Sequence, residues 1–257
     1  VSADGDILIH GSDTIDVLGS DRSLAAGSGN VSLVSNFLSR NEKRIIVETT
    51  GQFSFKPDNS WSGYGGQFDL SGTYDSGNDT FRGTLNSDSY GIGINNVSTL
   101  TGLTFGKDGM DTGLRAYTEW TIDGPISFYG EFLVIDESLT GDGTITLDGD
   151  TGSQVAGSAI EGVDLRASLT TKPGSNGDII VRGRGGDDSS GGQSGIRLAN
   201  GVDLSADGNG DIRLDGIGGN SSGNGNHGVA IAGSSTLSTA GGDITVVGGP
   251  NINLNPV

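Results

Sequence analysis

The sequence predicts an all-β chain, a right-handed parallel β-helix in which short strands stack coil on coil. Three observations predict it. Glycine supplies 48 of 257 residues, far above the roughly 7% of ordinary proteins. Short β-branched runs recur, among them Ile7-Leu8-Ile9, Ile45-Ile46-Val47 and Ile179-Ile180-Val181. A seven-residue phrase also returns at a nearly fixed interval.

Glycine loses more backbone freedom on folding than any other residue, so a helical domain avoids it and a fold with frequent tight turns uses it. Proline is scarce, at 5 residues, which argues against collagen and against a Pro-rich linker. Hydrophobic residues are only 32% of the chain, but they are clustered, as those of a disordered chain are not.

The returning phrase is Gly143-Thr144-Ile145-Thr146-Leu147-Asp148-Gly149, then Gly177-Asp178-Ile179-Ile180-Val181-Arg182-Gly183. It comes back as Gly210-Asp211-Ile212-Arg213-Leu214-Asp215-Gly216 and as Gly242-Asp243-Ile244-Thr245-Val246-Val247-Gly248. Its first isoleucines are 34, 33 and 32 residues apart. Between these blocks Ile196-Arg197-Leu198 matches Val229-Ala230-Ile231, and Leu204 matches Leu237. Ser2-Ala3-Asp4-Gly5-Asp6-Ile7 opens the chain on the same theme. Apolar residues at period 2 make a strand with one buried face. One such strand cannot bury that face alone, whereas stacked equivalents can. Ile179, Ile212 and Ile244 then form one inner row, and Val181, Leu214 and Val246 the next. An antiparallel sandwich is the alternative, but hairpins require no fixed period near 33.

Residues 51–118 break the rhythm and hold most of the aromatics. We expect a loop or hairpin insertion over 56–96, packed on the solenoid flank. The whole of 1–257 is expected to be one β-helix piece of a larger protein, because it opens inside a repeat and shows no signal peptide.

Charge narrows the partners. Fourteen Lys and Arg stand against 32 Asp and Glu, a net charge of −18. Phosphate backbones and anionic bilayers both want a basic face, so neither nucleic acid nor an anionic membrane surface is expected. With no cysteine, there is no disulfide framework, thiolate metal site or thiol nucleophile. No apolar run reaches membrane-spanning length, so no membrane insertion is expected.

Candidate chemistry is sparse. Asp178, Asp211 and Asp243 recur with the repeat, which marks them as turn residues and not as a catalytic set. Glu119, Asp123, Glu131, Asp136 and Glu137 are expected on a solvated face. No catalytic residues are assigned. Asp187 and Asp188, and Asp75 and Asp79, sit in oxygen-rich flexible loops of the kind calcium prefers. However, the strict G-G-x-G-x-D nonapeptide of calcium-binding β-rolls is absent. His10 and His227 read as exposed loop residues, with no zinc site implied. Trp61, Tyr64, Phe68, Tyr74 and Tyr90 lie among Gly, Ser, Asn and Asp. They would either stack on the sugar rings of a surface glycan or, the favoured reading, pack as core.

The stretch Ile122-Asp123-Gly124-Pro125-Ile126-Ser127-Phe128-Tyr129-Gly130, followed by Leu133-Val134-Ile135-Asp136-Glu137-Ser138-Leu139-Thr140, resembles the repeat wording of filamentous-haemagglutinin-like exoproteins. Arg44-Ile45-Ile46-Val47-Glu48-Thr49-Thr50-Gly51-Gln52-Phe53-Ser54-Phe55 resembles another phrase of that family. Asp136-Glu137-Ser138 departs from its usual Asn-rich wording. The resemblance implies a parallel β-helix in a large secreted or cell-surface bacterial protein, used in adhesion or biofilm. The expected role is then a stalk or adhesive segment without turnover, touching a surface glycan or cell-surface receptor or associating end to end. The alternatives are a glycan-binding module acting through the aromatic insertion and a polysaccharide-degrading enzyme.

Overall fold

In a computed structural model the described residues are all of 1–257 except 17–19, 39–42, 60, 62–66, 86–90, 150–159, 188, 190, 221–222, 250–251 and 254–257. They form long, mainly parallel β-sheets with one 3₁₀ turn, Val97–Thr99, and no α-helix. The first sheet has nine strands, from Ile7–His10 at one edge to Ile244–Gly249 at the other, stacked in chain order with every described pairing parallel. The second has eleven strands, from Arg22–Gly27 to Ile252–Asn253. The third has five, from Trp120–Ile122 to Thr236–Thr239. A two-stranded pair joins Thr14–Ile15 to Phe37–Leu38.

From Gly102–Phe105 onward the chain visits the three sheets in turn and then returns to the first. Each strand pairs with its equivalent one circuit earlier and one circuit later. This connectivity is consistent with a solenoid. Nine strands at the usual ~4.8 Å spacing give a stack of roughly 40 Å.

The repeat alignment reads the register correctly. Ile145 pairs with Ile179, Ile179 with Ile212 and Ile212 with Ile244. Ile196 pairs with Val229, and Leu204 with Leu237. The 33-residue period nevertheless holds only for the later circuits. Several earlier ones are shorter: Val31 lies between Ile7 and Phe53, and Ile126 between Leu103 and Ile145, at steps of 19 to 24 residues, whereas the step from Phe53 to Leu103, which contains the hairpin, takes 50. The first two circuits pass straight from the second sheet back to the first with no third-sheet strand, while those of Leu103 and Ile126 have a shorter connection from the first sheet to the second. That connection is 130–132 after Ile126–Tyr129, but 185–195 after Ile179–Arg184.

Alternation along each strand explains the core. Inner positions carry Ile, Leu, Val and Phe, and they are fully buried at Ile126, Phe128, Ile145, Leu147, Ile179, Val181, Ile212 and Leu214. In the early circuits aromatics fill the interior. Phe105 meets Phe53 and Phe128 edge to face at centroid distances of 5.9 and 5.8 Å, an arrangement favoured by the ring quadrupole.

The expected insertion contains a hairpin, Gln67–Asp75 with Thr80–Leu85. It does not lie on the flank. Thr80–Leu85 is laid into the second sheet, antiparallel to Gln67–Asp75 on one side and to Ile92–Asn95 on the other. The first and second sheets therefore stay continuous across the irregular region, and Phe81 is delivered into the core against Trp120, 4.6 Å between centroids.

Two devices hold one circuit to the next at the corners. The glycines before the first-sheet strands stack so closely that an added Cβ at Gly177 or Gly210 would strike the backbone of Gly143 or Gly177 in the circuit before. Beside them runs a row of side chains that accept backbone N–H groups of the following circuit. Asp6 accepts from Asn30 (2.7 Å), Asn30 from Gln52 (2.9 Å), Asp178 from Asp211 (2.9 Å) and Asp211 from Asp243 (2.7 Å). The recurrent aspartates are structural, as expected, but the N–H they satisfy belongs to the next circuit and not to their own turn.

Candidate functional site

Of the aromatics weighed between glycan stacking and core packing, Trp61 and Phe68 pack inward. Trp61 is 3% exposed and Phe68 fully buried. Their rings stack at 4.1 Å, and both lie against Phe55. The polar surroundings in sequence mislead because alternation along Gln67–Asp75 turns Phe68 and Leu70 inward while Gln67 and Asp69 face out. Tyr74 is half-buried, and its hydroxyl donates to Asp79 at 2.8 Å. Tyr64 and Tyr90 lie outside the described residues.

Burial, and then the bond to Asp79, pushes the Tyr74 phenol up to about 12 from 10.0. The folded value is thus above the unfolded one. The stability that neutral Tyr74 provides is complete below pH 10 and is lost as pH rises through about 12. We expect the phenolate absorbance of the native protein to include a component titrating near 12, and Tyr74→Phe to remove it. Titration of all tyrosines near pH 10 would contradict this.

The calcium candidates have protein partners. Asp75 caps its own turn, accepting from the Gly77 N–H (2.9 Å) and from the Asn78 side chain (2.6 Å), which lowers its carboxyl below the usual range. Asp79, at φ 50°, turns instead to Ser98, accepting its N–H at 2.9 Å and its hydroxyl at 2.8 Å. Asp187 is partly buried, and Asp188 lies outside the described residues. No group of three or more His, Cys, Asp or Glu is placed to share a metal among the described residues. His10 closes the strand Ile7–His10 and meets Asp58 at 3.0 Å, while His227 is partly buried.

The most developed polar constellation is one that sequence reasoning missed. On the outer face of the second sheet, Arg115 reaches Asp136 (2.6 Å), Asp136 reaches Arg166 (3.1 Å) and Arg166 reaches Asp164 (2.7 Å). Asp164 in turn meets Arg197 (2.9 Å), which also contacts Glu161 (3.3 Å). The band crosses four neighbouring strands because Arg115, Val134, Asp164 and Arg197 share one register position. Asp136 is therefore no solvated carboxylate: its side chain is 17% exposed, and that of Asp164 only 2%. Paired guanidiniums make such burial tolerable. Burial raises the Glu161 carboxyl despite Arg197 beside it. The Glu131 carboxyl is raised chiefly by burial too, with Asp111 adding to it. The available signal was Asp164 and Arg197 at equivalent places in successive repeats, opposite charges one rung apart.

The third sheet has the contrasting surface. Its outward row is Thr121, Thr140, Thr170, Ser205 and Ser238, five hydroxyls in register over Trp120, Leu139, Leu169, Leu204 and Leu237.

No known family model, curated protein or solved structure matches this chain.

Proposed function

We propose that this chain is a right-handed parallel β-helix segment of a large secreted or surface-exposed bacterial protein, serving as a stalk or adhesive element. The observation that carries the reading is the unbroken first sheet, nine strands in register with apolar inner rows, several of its corners tied to the next circuit. A stack of this kind makes length and rigidity out of repetition. Its outer positions include a row of short hydroxyls on the third sheet and a band of paired charges on the second, a surface suited to display. The wording around Ile122–Thr140 and Arg44–Phe55, similar to filamentous-haemagglutinin-like exoproteins, supports the same reading.

A polysaccharide-degrading enzyme is the second reading. It draws on the Arg115–Asp136–Arg166–Asp164–Arg197–Glu161 band, the most extended charge cluster among the described residues. It ranks second because the band's carboxylates are engaged by guanidiniums, which leaves no obvious free base. Glycan binding through the hairpin region is weakened by the burial of Trp61 and Phe68.

Incubation with a panel of bacterial, algal and host polysaccharides separates these readings. Retained glycan and released oligosaccharide are scored in the same wells, with calcium and with chelator. We expect no released oligosaccharide under either condition. Release would overturn the scaffold reading in favour of the enzyme, and calcium-dependent retention would restore a metal-assisted adhesive site.

A further inference from the structure

Three asparagine–glycine pairs sit at corners of the stack with described circuits on both sides: Asn176-Gly177, Asn200-Gly201 and Asn209-Gly210. A fourth pair, Asn224-Gly225, has no described circuit beyond it. An Asn followed by Gly is chemically labile. With no side chain to shield it, the glycine nitrogen can attack the carbon of the preceding side-chain amide. In a folded chain the attack requires that nitrogen to be free of hydrogen bonds and of packing, or else a local opening that frees it.

The asparagines at 176 and 200 are alike, and their glycines are not. Asn176 Oδ1 accepts the Asn209 N–H at 3.1 Å, and Asn200 Oδ1 accepts the Ser234 N–H at 2.9 Å, each from the circuit that follows. Gly177 is buried, donates its N–H to Ser175 Oγ at 3.1 Å and stacks on the Gly143 backbone. Gly210 is buried, donates to the Asp207 carbonyl at 3.1 Å and stacks on Gly177. Gly201 is exposed, its N–H meets no acceptor among the described residues, and an added Cβ there would meet nothing within 4 Å.

Corner length accounts for the difference. The connection from the second sheet to the third is 199–202 at this corner, but only 166–168 in the circuit before. The longer corner forms a turn closed by the Val202 N–H on the Ala199 carbonyl at 3.3 Å, with Gly201 at φ 78°. That is the third-residue conformation for which a type II turn selects glycine. The Asn200 amide reaches the other way, over Gly233 of the next circuit, where an added Cβ would collide with it.

We propose that Asn200 is a site of spontaneous covalent modification, converting through a succinimide to isoaspartate and aspartate. The Gly201 nitrogen gives its proton to solvent base and bonds to Asn200 Cγ. The Cγ–Nδ2 bond breaks, and the amide leaves as ammonia with a proton from solvent. Water then opens the ring at either carbonyl. One opening leaves an ordinary aspartate; the other leaves a chain that runs through the side-chain carbon, with the α-carboxylate free. Water is consumed, ammonia is released and nothing is oxidised. The Ser234 N–H on Oδ1 draws electrons from the carbon under attack. Either product adds a negative charge to a chain that already carries −18. The isoaspartyl product also moves the oxygen that held Ser234, so the tie between these two circuits loosens as the protein ages. Nothing in the proposal depends on what the outer faces bind.

The test ages the purified chain at mildly alkaline pH, folded and in denaturant. Conversion at each pair is followed by peptide mass spectrometry and by isoaspartyl-specific methyltransferase labelling. In the folded chain Asn200 should convert at least about tenfold faster than Asn176 and Asn209, where local opening must come first. In denaturant the three should convert at similar rates, because each is followed by glycine. No conversion at Asn200, equal rates at the three pairs in the folded chain, or the same preference for Asn200 in denaturant would each overturn the proposal.

Discussion

Trp120→Ala should cost about 3–5 kcal/mol in denaturant unfolding followed by far-UV circular dichroism, the range for truncating a buried Trp or Phe. Trp120 is fully buried where the third sheet begins. Its indole meets Phe81 at 4.6 Å and Phe105 at 6.2 Å. Phe81 comes from the one antiparallel strand and Phe105 from the first sheet, so a single side chain closes the junction between the irregular early circuits and the regular later ones. Its indole N–H is buried without a protein hydrogen-bond partner. Replacement by Phe keeps most of the volume and removes that donor, so Trp120→Phe should cost less than about 1.5 kcal/mol, as volume-conserving core changes usually do. Equal losses for the two variants would show that the indole packs less closely than its position requires.

The second large effect falls on a residue with no side chain. Gly177→Ala should cost about 2–3 kcal/mol, because the new methyl meets the Gly143 backbone and only separation of two circuits can relieve it, an overpacking penalty. The same change at Gly5, the first glycine of the column, should stay within about 0.5 kcal/mol, as at an unconstrained surface position. Chemical denaturation of both variants gives the comparison. Similar losses at the two sites would mean that glycine serves the unfolded chain's flexibility here and not the approach of neighbouring circuits.

The repeat made the later half of the fold legible. Ile145, Ile179, Ile212 and Ile244 fall in one row because a buried inner position tolerates little but a branched apolar side chain, and such positions stand out in sequence. The early circuits hid their register because the first two lack a third-sheet strand, one contains the hairpin and others have shorter first-to-second-sheet connections, all of which change the period while the first sheet stays in register. The antiparallel strand Thr80–Leu85 was invisible for another reason: its alternation resembles that of any strand, and only its neighbours decide its direction. Trp61 and Phe68 kept a glycan-stacking alternative open because composition near them is polar, while the pleat turns them inward as the core reading had it. The ionic band went unread because its members are dispersed in sequence. Arg115, Asp136, Asp164 and Arg197 become neighbours only when strands are stacked, and one-rung shifts in register would separate them.

The one-way run of Asp and Asn acceptors before the first-sheet strands also carries an order in time. Each accepts the N–H of a circuit made later by the ribosome, so the circuits that begin at Asn30, Gln52, Asp211 and Asp243 find this hydrogen-bond acceptor on a surface already laid down. Partners lie only one circuit apart in sequence, which keeps the entropy of each closure small. A chain built this way can crystallise onto itself from its amino end as it emerges, each completed layer acting as the template for the next.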